Sequence, residues 1–322
     1  MKKEEILQLL ENYLEDINLE DDGMNFETAV EEILFHHNLL KGSGLHENED
    51  LSSDECYDRA MESDDLPEKM EYLNRAVRLD PMNLEARAEK IHLESEDSLS
   101  ELEELGKLAQ FAEEMLKKNH IVEDDDEGSY YGIPETRPYI RLRFRRLRLY
   151  LDCGMMNKAE KEAMDILRLN EMDNLGVRFT LGCIYAFQEN REKLEKLDEI
   201  YPQESISTKL IDAVLLYKEG RVEALQEKLK EIFELDDRFA DQVDCIDYDG
   251  IEEYLDVQEE LPFYRPNSIE ELSLLMLHNR FLFRGIEPFY EYASIFLTET
   301  YGLFDDEMMD DEDEEDYKDI PF

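Results

Sequence analysis

Glycine and proline are scarce in this sequence: its 322 residues include 13 glycines and 9 prolines. Tight turns between β-strands depend on these two residues, so their scarcity argues against a fold built from many β-hairpins. Charged residues make up 37% of the chain and hydrophobic residues 42%. This composition is typical of long, solvated helices around a buried core, and it predicts an all-α protein.

Cysteine is also rare, and no two cysteines have the CxxC spacing of a redox or zinc motif. The four lie far apart, each beside apolar residues: Cys56, Cys153, Cys183 and Cys245. We therefore expect reduced, buried thiols and a cytoplasmic location. No stretch reaches the roughly 18 uncharged apolar residues that a membrane span requires. Because carboxylates interrupt the apolar positions of the N-terminus, neither export nor membrane insertion is expected.

Recognisable catalytic and metal-binding motifs are missing as well. The sequence has no glycine-rich phosphate loop, no HExxH motif and no nucleophile elbow. His36 and His37 face different sides of a helix, and together with His46 they match no standard metal spacing. The acidic run at 123–128 lacks the alternating ligands and distal glutamate of a calcium loop. We expect no enzymatic activity, no metal and no cofactor.

The charge balance is strongly acidic, with 84 aspartates and glutamates against 35 lysines and arginines and a formal net charge of -49. Such a field repels nucleic-acid phosphates and anionic membrane surfaces, so we expect neither direct nucleic-acid binding nor membrane binding. It favours basic proteins, basic peptides and cations as partners. The alternative interpretation is that the charge serves solubility alone.

A helical hairpin recurs along the chain with a period of about 33 to 34 residues, which indicates a repeat protein. The helices of each pair are separated by a turn at Gly154, Asn190 or Gly220, where glycine or asparagine can adopt the left-handed conformation. The apolar positions within the units follow the helical period, as in Ile140, Phe144, Leu147 and Leu151. Because one hairpin cannot bury its own apolar stripe, neighbouring hairpins are expected to stack into a solenoid.

These units resemble the tetratricopeptide repeat, and residues 65–91 match it best. Small residues occupy positions where helices would cross closely: Ala159, Ala163, Gly182, Ala213 and Ala224. A narrower resemblance links "ETRPYIRLR" (135–143) and "LRLNEMDNLGVRF" (167–179) to the ETRPYMR-like and LRLNPNDNQGVR-like runs of bacterial tetratricopeptide-repeat proteins similar to the suppressor-of-tumorigenicity-seven family. Ile140 replaces the usual methionine and Glu171 the usual proline. The resemblance implies a repeat scaffold without established chemistry.

The first of these runs opens a basic helix that carries six arginines. Thr136 is expected to cap this helix, and Pro138 is tolerated in its first turn. Four arginines share one face: Arg137, Arg141, Arg145 and Arg148. Arg143 and Arg146 point elsewhere. Either the four pair with carboxylates of neighbouring helices, or they line a groove that binds a carboxylate, a phosphate or an acidic peptide. The candidate partner-binding residues are these four together with Tyr139 and Arg178.

The sequence predicts four segments in chain order. Residues 1–50 form an N-terminal helical cap, and 51–236 form tetratricopeptide-like repeats that include an acidic loop at about 122–135. This loop is either a solvated connector or a strap over a groove. Residues 237–303 form a C-terminal helical cap, and 304–322 form a disordered acidic tail.

We expect a non-catalytic scaffold that holds a protein or peptide in the concave groove of the repeats. The alternative is an acidic decoy or inhibitor that occupies a basic, nucleic-acid-binding site on a partner protein. A third class, an enzyme assembled from scattered groove residues, has less support in the sequence. Salt dependence separates the first two, because a decoy complex weakens steeply as ionic strength rises.

Overall fold

The computed structural model describes residues 51–123, 126–256 and 265–303. Within these ranges every regular element is helical, with fifteen α-helices and two short 3₁₀ helices. Their one pair of bridged backbones, Ser129 with Asn170, belongs to no strand. The all-α class is therefore confirmed for the described residues. The expected N-terminal cap at 1–50 and the acidic tail at 304–322 lie outside them.

The chain divides into two compact units, residues 1–90 and 91–322. The described part of the first unit contains α1 (Ser53–Glu62), α2 (Leu66–Leu79) and the start of α3 (Leu84–Glu94). The first two helices pack together over a small apolar core that includes Cys56, Ala60, Leu73 and Ala76. Both begin at side-chain caps, Ser52 for α1 and Asp65 for α2, which satisfy free backbone N–H groups.

The second unit contains the remaining helices. They are α4 (Ser98–Lys118), α5 (Arg137–Asp152), α6 (Met156–Leu169), α7 (Val177–Phe187), α8 (Arg191–Ile200), α9 (Ile206–Lys218), α10 (Val222–Leu235), α11 (Phe239–Asp249), α12 (Ile251–Asp256), α13 (Ile269–His278), α14 (Arg280–Phe283) and α15 (Glu287–Tyr301). Sequential helices form the pairs α5–α6, α7–α8 and α9–α10, and α7 also packs against α6 and α9. Each pair thus buries apolar surface against the next.

The three turns within these pairs lie where the sequence places them. Gly154 and Gly220 adopt the left-handed conformation, with φ of 66° and 68°. At the middle turn the assignment is wrong, because Glu189 adopts that conformation, with φ of 56°. Asn190 has φ of -103° and instead caps α8, accepting a hydrogen bond from the Lys193 N–H at 3.1 Å. Asparagine suits both roles, and here the cap satisfies an otherwise free N–H group.

Thr136 precedes α5, as expected, but it does not cap that helix. Its backbone is already helical, with φ of -95° and ψ of -13°, whereas a capping residue is normally extended. The side chain is buried, and Oγ1 donates to the carbonyl oxygens of Tyr130 and Ile133. Thr136 therefore ties α5 to the 3₁₀ helices before it, Tyr130–Gly132 and Pro134–Thr136.

The segment before α5 packs more closely than a solvated connector. Val122 and Tyr130 are buried, and the Glu171 N–H donates to the Gly128 carbonyl oxygen at 2.9 Å. The ring of Tyr130 lies 6.5 Å from that of Tyr139, measured between centroids. The described part of the acidic loop is therefore anchored to α5 and to the turn after α6, because its aromatic residue has buried surface to contact.

The four cysteines are free, but they are not all buried. Cys56 and Cys183 are buried, Cys153 is half-buried and Cys245 is exposed. Burial raises the pKa of the Cys183 thiol, which favours the neutral form. The expectation was wrong for Cys245 because its neighbour Ile246 occupies the core-facing position of α11.

The apolar pattern of 268–302 predicts two helices separated by Gly285 and Pro288, and the structure contains three. The first expected helix is interrupted at Asn279, which separates α13 from the short α14. The Asn279 side-chain amide donates to the Leu275 carbonyl oxygen at 2.9 Å, so it competes with the backbone for that acceptor. The second expected helix is α15, with Pro288 in its first turn.

Asp236 joins the end of α10 to the start of α13. Its side chain is 3% exposed and accepts hydrogen bonds from Arg238 Nη2 at 2.6 Å and from the Ile269 N–H at 3.0 Å. The hydrogen bonds from Arg238 lower the pKa of this carboxyl to about 2. An aspartate with a lowered pKa stabilises the fold above its unfolded-state pKa, and that contribution is lost as the pH falls toward 2.

We expect Asp236→Asn to lower the free energy of unfolding by about 1 kcal/mol at pH 7, a value discounted for the partial exposure of Arg238. Urea denaturation at several pH values measures this difference, which should shrink as the pH falls from 4 toward 2. Asp237→Asn, an exposed neighbour, should change stability little. A deficit for Asp236→Asn that is constant across this pH range would contradict the assignment.

Candidate anion-binding site

The arginines of α5 point in more than one direction, because successive residues lie about 100° apart around a helix. Arg143 and Arg146, three residues apart, face a cavity of about 460 Å³ between α4, α5 and α6. The α4 wall includes Gly106 and Ala109, whose small side chains leave space opposite the arginines. A methyl group at Gly106 would lie 3.9 Å from Arg146 Nη2. The cavity therefore exists where the smallest residues of one helix face the largest cations of another.

Arg143 forms the buried base of this cavity. Its side chain is 9% exposed, and Nε donates to Glu162 Oε1 at 2.5 Å. Nη2 donates to Asp165 Oδ2 and Nη1 to the Tyr139 hydroxyl oxygen, each at 3.2 Å. Burial alone would lower the pKa of this guanidinium, but hydrogen bonding and attraction to Glu162 outweigh burial and raise it. Arg143 is a fixed positive charge.

Arg146 shares the same carboxylate. Its Nη1 donates to Glu162 Oε1 at 3.2 Å, and its Nη2 donates to the Tyr150 hydroxyl oxygen at 3.2 Å. The Nε atom is buried, and it has no hydrogen-bond partner among the residues that the structure describes. A buried donor without an acceptor is unfavourable, so this N–H would gain from an oxygen atom inside the cavity.

Three further cations come from α6: Lys158, Lys161 and Arg168. The Lys158 ammonium lies 5.8 Å from the centre of the Tyr150 ring. Neither lysine has a carboxylate within ion-pair distance in the described part of the chain. The cavity lining thus carries five cationic side chains against three carboxylates, namely Glu113, Glu162 and Asp165. It is a local region of positive charge on a chain of net charge -49.

A second cavity of about 290 Å³ lies beside the first and shares Glu113, Tyr139, Arg143 and Arg168 with it. The acidic loop contributes Glu127 and Tyr130 to its lining. Glu127 forms an ion pair with Arg168, and about half of each side chain is exposed. Glu127 of the loop therefore already pairs with Arg168, a cation that lines both cavities.

Of the residues predicted to bind a partner, Tyr139 lines the first cavity. It is 2% exposed, and its hydroxyl donates to Glu113 Oε2 at 3.3 Å. Burial is the main cause that raises the pKa of this phenol, so Tyr139 stays neutral. It acts as a buried link between α4 and α5.

The four-arginine face of α5 does not converge on that cavity. Arg137 donates from Nε to the Tyr131 carbonyl oxygen at 3.0 Å, and Arg145 Nη2 lies 3.5 Å from Glu101 Oε1 on α4. Arg148 donates to the His278 carbonyl oxygen at the end of α13, and Arg141 is exposed. Arg137, Arg145 and Arg148 thus contact different parts of the second unit.

Arg178 holds the turn between α6 and α7. Its Nη1 donates to Asp173 Oδ2 at 3.0 Å, and its guanidinium lies 4.3 Å from the centre of the Phe179 ring. Asp173 also accepts from the Val177 N–H at 2.6 Å, and burial raises the pKa of its carboxyl. Within residues 167–179, the second run that resembles the bacterial tetratricopeptide-repeat proteins, the chain thus forms a buried turn.

The α6 side of the site was not predicted from the sequence. A polar face is nevertheless readable in that helix: Lys158, Lys161, Glu162, Asp165 and Arg168 recur at helical spacing. This face would have indicated a charged partner for the basic helix that precedes it. The small residues of α4 carried no comparable signal, because their role depends on which helix lies opposite.

Comparisons with protein-family models, with curated proteins and with solved structures find no match for this chain. In the described ranges, no cluster of three or more histidine, cysteine, aspartate and glutamate side chains is suited to hold a metal ion. No helix in those ranges has the length and apolar character needed to cross a membrane. Function is therefore inferred from the geometry of the cavity.

Proposed function

We propose that this chain is a non-catalytic cytoplasmic scaffold that binds an acidic segment of a partner protein at the cavity between α4, α5 and α6. The observation that carries the proposal is the excess of cations around that cavity on a strongly acidic chain. A random distribution of surface charge does not account for cations clustered at one cavity of so acidic a chain. Arginine and lysine are suited to bind carboxylates.

The binding surface belongs to a proposed tetratricopeptide-like solenoid, in which the cavity faces the groove. The packing of α5–α6, α7–α8 and α9–α10 as sequential pairs supports this organisation. The resemblance to the suppressor-of-tumorigenicity-seven family is part of the same proposal. The four free cysteines support a reducing compartment.

A binding role suits the cavity better than catalysis. Glu162 Oε1 and Asp165 Oδ2 accept hydrogen bonds from Arg143, so one oxygen of each carboxylate holds the guanidinium in place. The cations are arranged to hold negative charge, and Arg143 is fixed by three partners. Because Arg143 is already held in place before a ligand binds, less conformational entropy is lost on binding, and this favours affinity and selectivity.

The experiment uses the full chain and a fluorescein-labelled hexaglutamate peptide, with binding followed by fluorescence anisotropy. We expect the double variant Lys158→Ala/Lys161→Ala to lower affinity by about tenfold or more, because each lysine loses a charge pair with the ligand. The matched control is Lys193→Ala/Lys196→Ala, which removes the same charge at the same spacing from lysines already paired with Glu160 and Glu192.

Equal losses in the two double variants would show that net charge, and not the cavity, governs binding. Absence of hexaglutamate binding would reject the proposal outright. A labelled hexalysine peptide tests the decoy alternative, since its binding to acidic surface should weaken steeply between low and high salt. Hexaglutamate bound at the cavity should depend less on salt, because screening also reduces the repulsion from the rest of the chain.

A further inference from the structure

The cavity between α4, α5 and α6 has features that distinguish among anions. We propose that it selects a dianionic phosphoryl group over a carboxylate. This inference rests on the proposed function, because it names the chemical class that the same site takes. The phosphoryl group belongs either to a phosphorylated side chain of a partner protein or to a phosphorylated small molecule.

The balance of charge is the first argument. Five cationic side chains face three carboxylates in the cavity lining. Arg168 pairs with Glu127 and Glu113 pairs with Lys117, and both of these partners lie outside the lining. Six cations then stand against four carboxylates, so two positive charges remain in excess. A carboxylate supplies one negative charge, whereas a phosphate monoester at neutral pH supplies about 1.5 to 2. The dianion therefore matches the excess charge of the cavity, and a single carboxylate leaves part of it uncompensated.

The number of available donors is the second argument. Arg146 Nε is buried and lacks an acceptor among the described residues, and no described carboxylate lies within ion-pair distance of Lys158 or Lys161. These donors come from two helices, so a ligand that satisfies them must offer oxygens in several directions. A phosphoryl group presents three terminal oxygens around a tetrahedral centre, and a carboxylate presents two in one plane.

The carboxylates that pair with the arginines do not cancel this attraction. Glu162 accepts from both Arg143 and Arg146, and Asp165 accepts from Arg143, so both are already compensated. The lysines of α6 are the cations that remain for a ligand. Arg168 adds to them if the ligand displaces Glu127, and an exposed pair of that kind contributes only about 0 to 1 kcal/mol.

The cavity is large enough to hold part of the side chain or small molecule to which the phosphoryl group is attached. Its volume of about 460 Å³ lies within the range of sites that hold small ligands or peptide side chains. Gly106 and Ala109 leave the α4 wall open beside the cations, so an attached chain can lie along that wall. Both sources of the phosphoryl group are therefore compatible with the geometry.

The test compares three nonapeptides of glycine and serine that differ only at the central residue, which is phosphoserine, glutamate or serine. Isothermal titration calorimetry on the full chain measures their affinities, with phenyl phosphate as a fourth probe. We expect the phosphopeptide to bind at least about tenfold more tightly than the glutamate peptide. Lys158→Ala/Lys161→Ala should remove this preference, and Lys193→Ala/Lys196→Ala should retain it.

The dependence on pH gives a second readout. The second pKa of a phosphate monoester is about 6, so the preference over glutamate should shrink as the pH falls from 7.5 to about 5.5. The titratable or charged groups that line the cavity are Glu113 from α4; Tyr139, Arg143, Arg146 and Tyr150 from α5; and Lys158, Lys161, Glu162, Asp165 and Arg168 from α6. The glutamate peptide, measured over the same pH range, controls for their titration, because its own carboxylate stays largely ionised above pH 5.5.

The outcomes separate this inference from the proposed function. If the glutamate peptide binds as tightly as the phosphopeptide, phosphoryl selectivity is overturned and the acidic-segment scaffold stands. If phenyl phosphate binds at the cavity and neither the nonapeptides nor hexaglutamate does, the phosphoryl site stands and the protein-binding scaffold is overturned. If none of the four probes binds, phosphoryl selectivity is overturned, and the hexaglutamate measurement decides the acidic-segment scaffold separately.

Discussion

Replacing Glu162 with glutamine is expected to lower the free energy of unfolding by about 3 kcal/mol. Glu162 accepts from both Arg143 and Arg146, and its side chain is 7% exposed. Removing its charge leaves two guanidiniums close together with less compensation. Arg143 keeps Asp165 and Tyr139, which places the expected loss near the lower end of the range for a broken buried ion pair. Urea denaturation of the full chain measures it.

Glu160→Gln is the matched control for this substitution. Glu160 lies on the same helix and pairs with Lys193 Nζ at 2.5 Å, and the side chain of that lysine is 42% exposed. Solvent screens such a pair, so we expect a loss of about 1 kcal/mol or less. Equal losses for the two substitutions would mean that Glu162 does not hold the arginines of the cavity in place.

Replacing Tyr139 with alanine is expected to lower the free energy of unfolding by about 3 to 5 kcal/mol, because a large buried ring leaves a cavity. Tyr139 is 2% exposed, and its hydroxyl lies between Glu113 on α4 and Arg143 on α5. Tyr139→Phe keeps the ring and removes those two hydrogen bonds, so we expect a smaller loss of about 1 to 2 kcal/mol. The same denaturation experiment measures both variants.

The sequence-based role of Tyr139 as a partner contact predicts a different pattern. A side chain that mainly contacts a ligand can be truncated with little loss of stability and a large loss of affinity. Unchanged stability in Tyr139→Ala, together with weaker hexaglutamate binding, would favour that role over the buried link between helices.

The turns at Gly154 and Gly220 and the helix α5 follow from local sequence. Gly154 and Gly220 end their helices because glycine adopts positive φ at little cost, and apolar periodicity identifies α5 correctly. The middle turn shows the limit of this reasoning. Asn190 suits either a left-handed turn or a helix cap, and the choice depends on the position of the next helix.

The candidate site was less predictable for a related reason. Spacing alone groups Arg137, Arg141, Arg145 and Arg148 on one face of a helix. It does not reveal what lies opposite each face. In the folded unit Arg145 contacts Glu101 and Arg148 contacts the end of α13. Arg143 and Arg146 instead face the small residues of α4. Long-range packing therefore decides which cations line a cavity.

Hydrogen exchange of the full chain, with and without the hexaglutamate peptide, tests the location of binding most directly. Amides that become protected report where the ligand orders or covers the backbone. We expect slower exchange in α4, α5 and α6, centred on residues 106–113 and 158–168, and little change in α11 and α15. Protection confined to helices outside α4, α5 and α6 would contradict the assignment of the cationic cavity as the binding site.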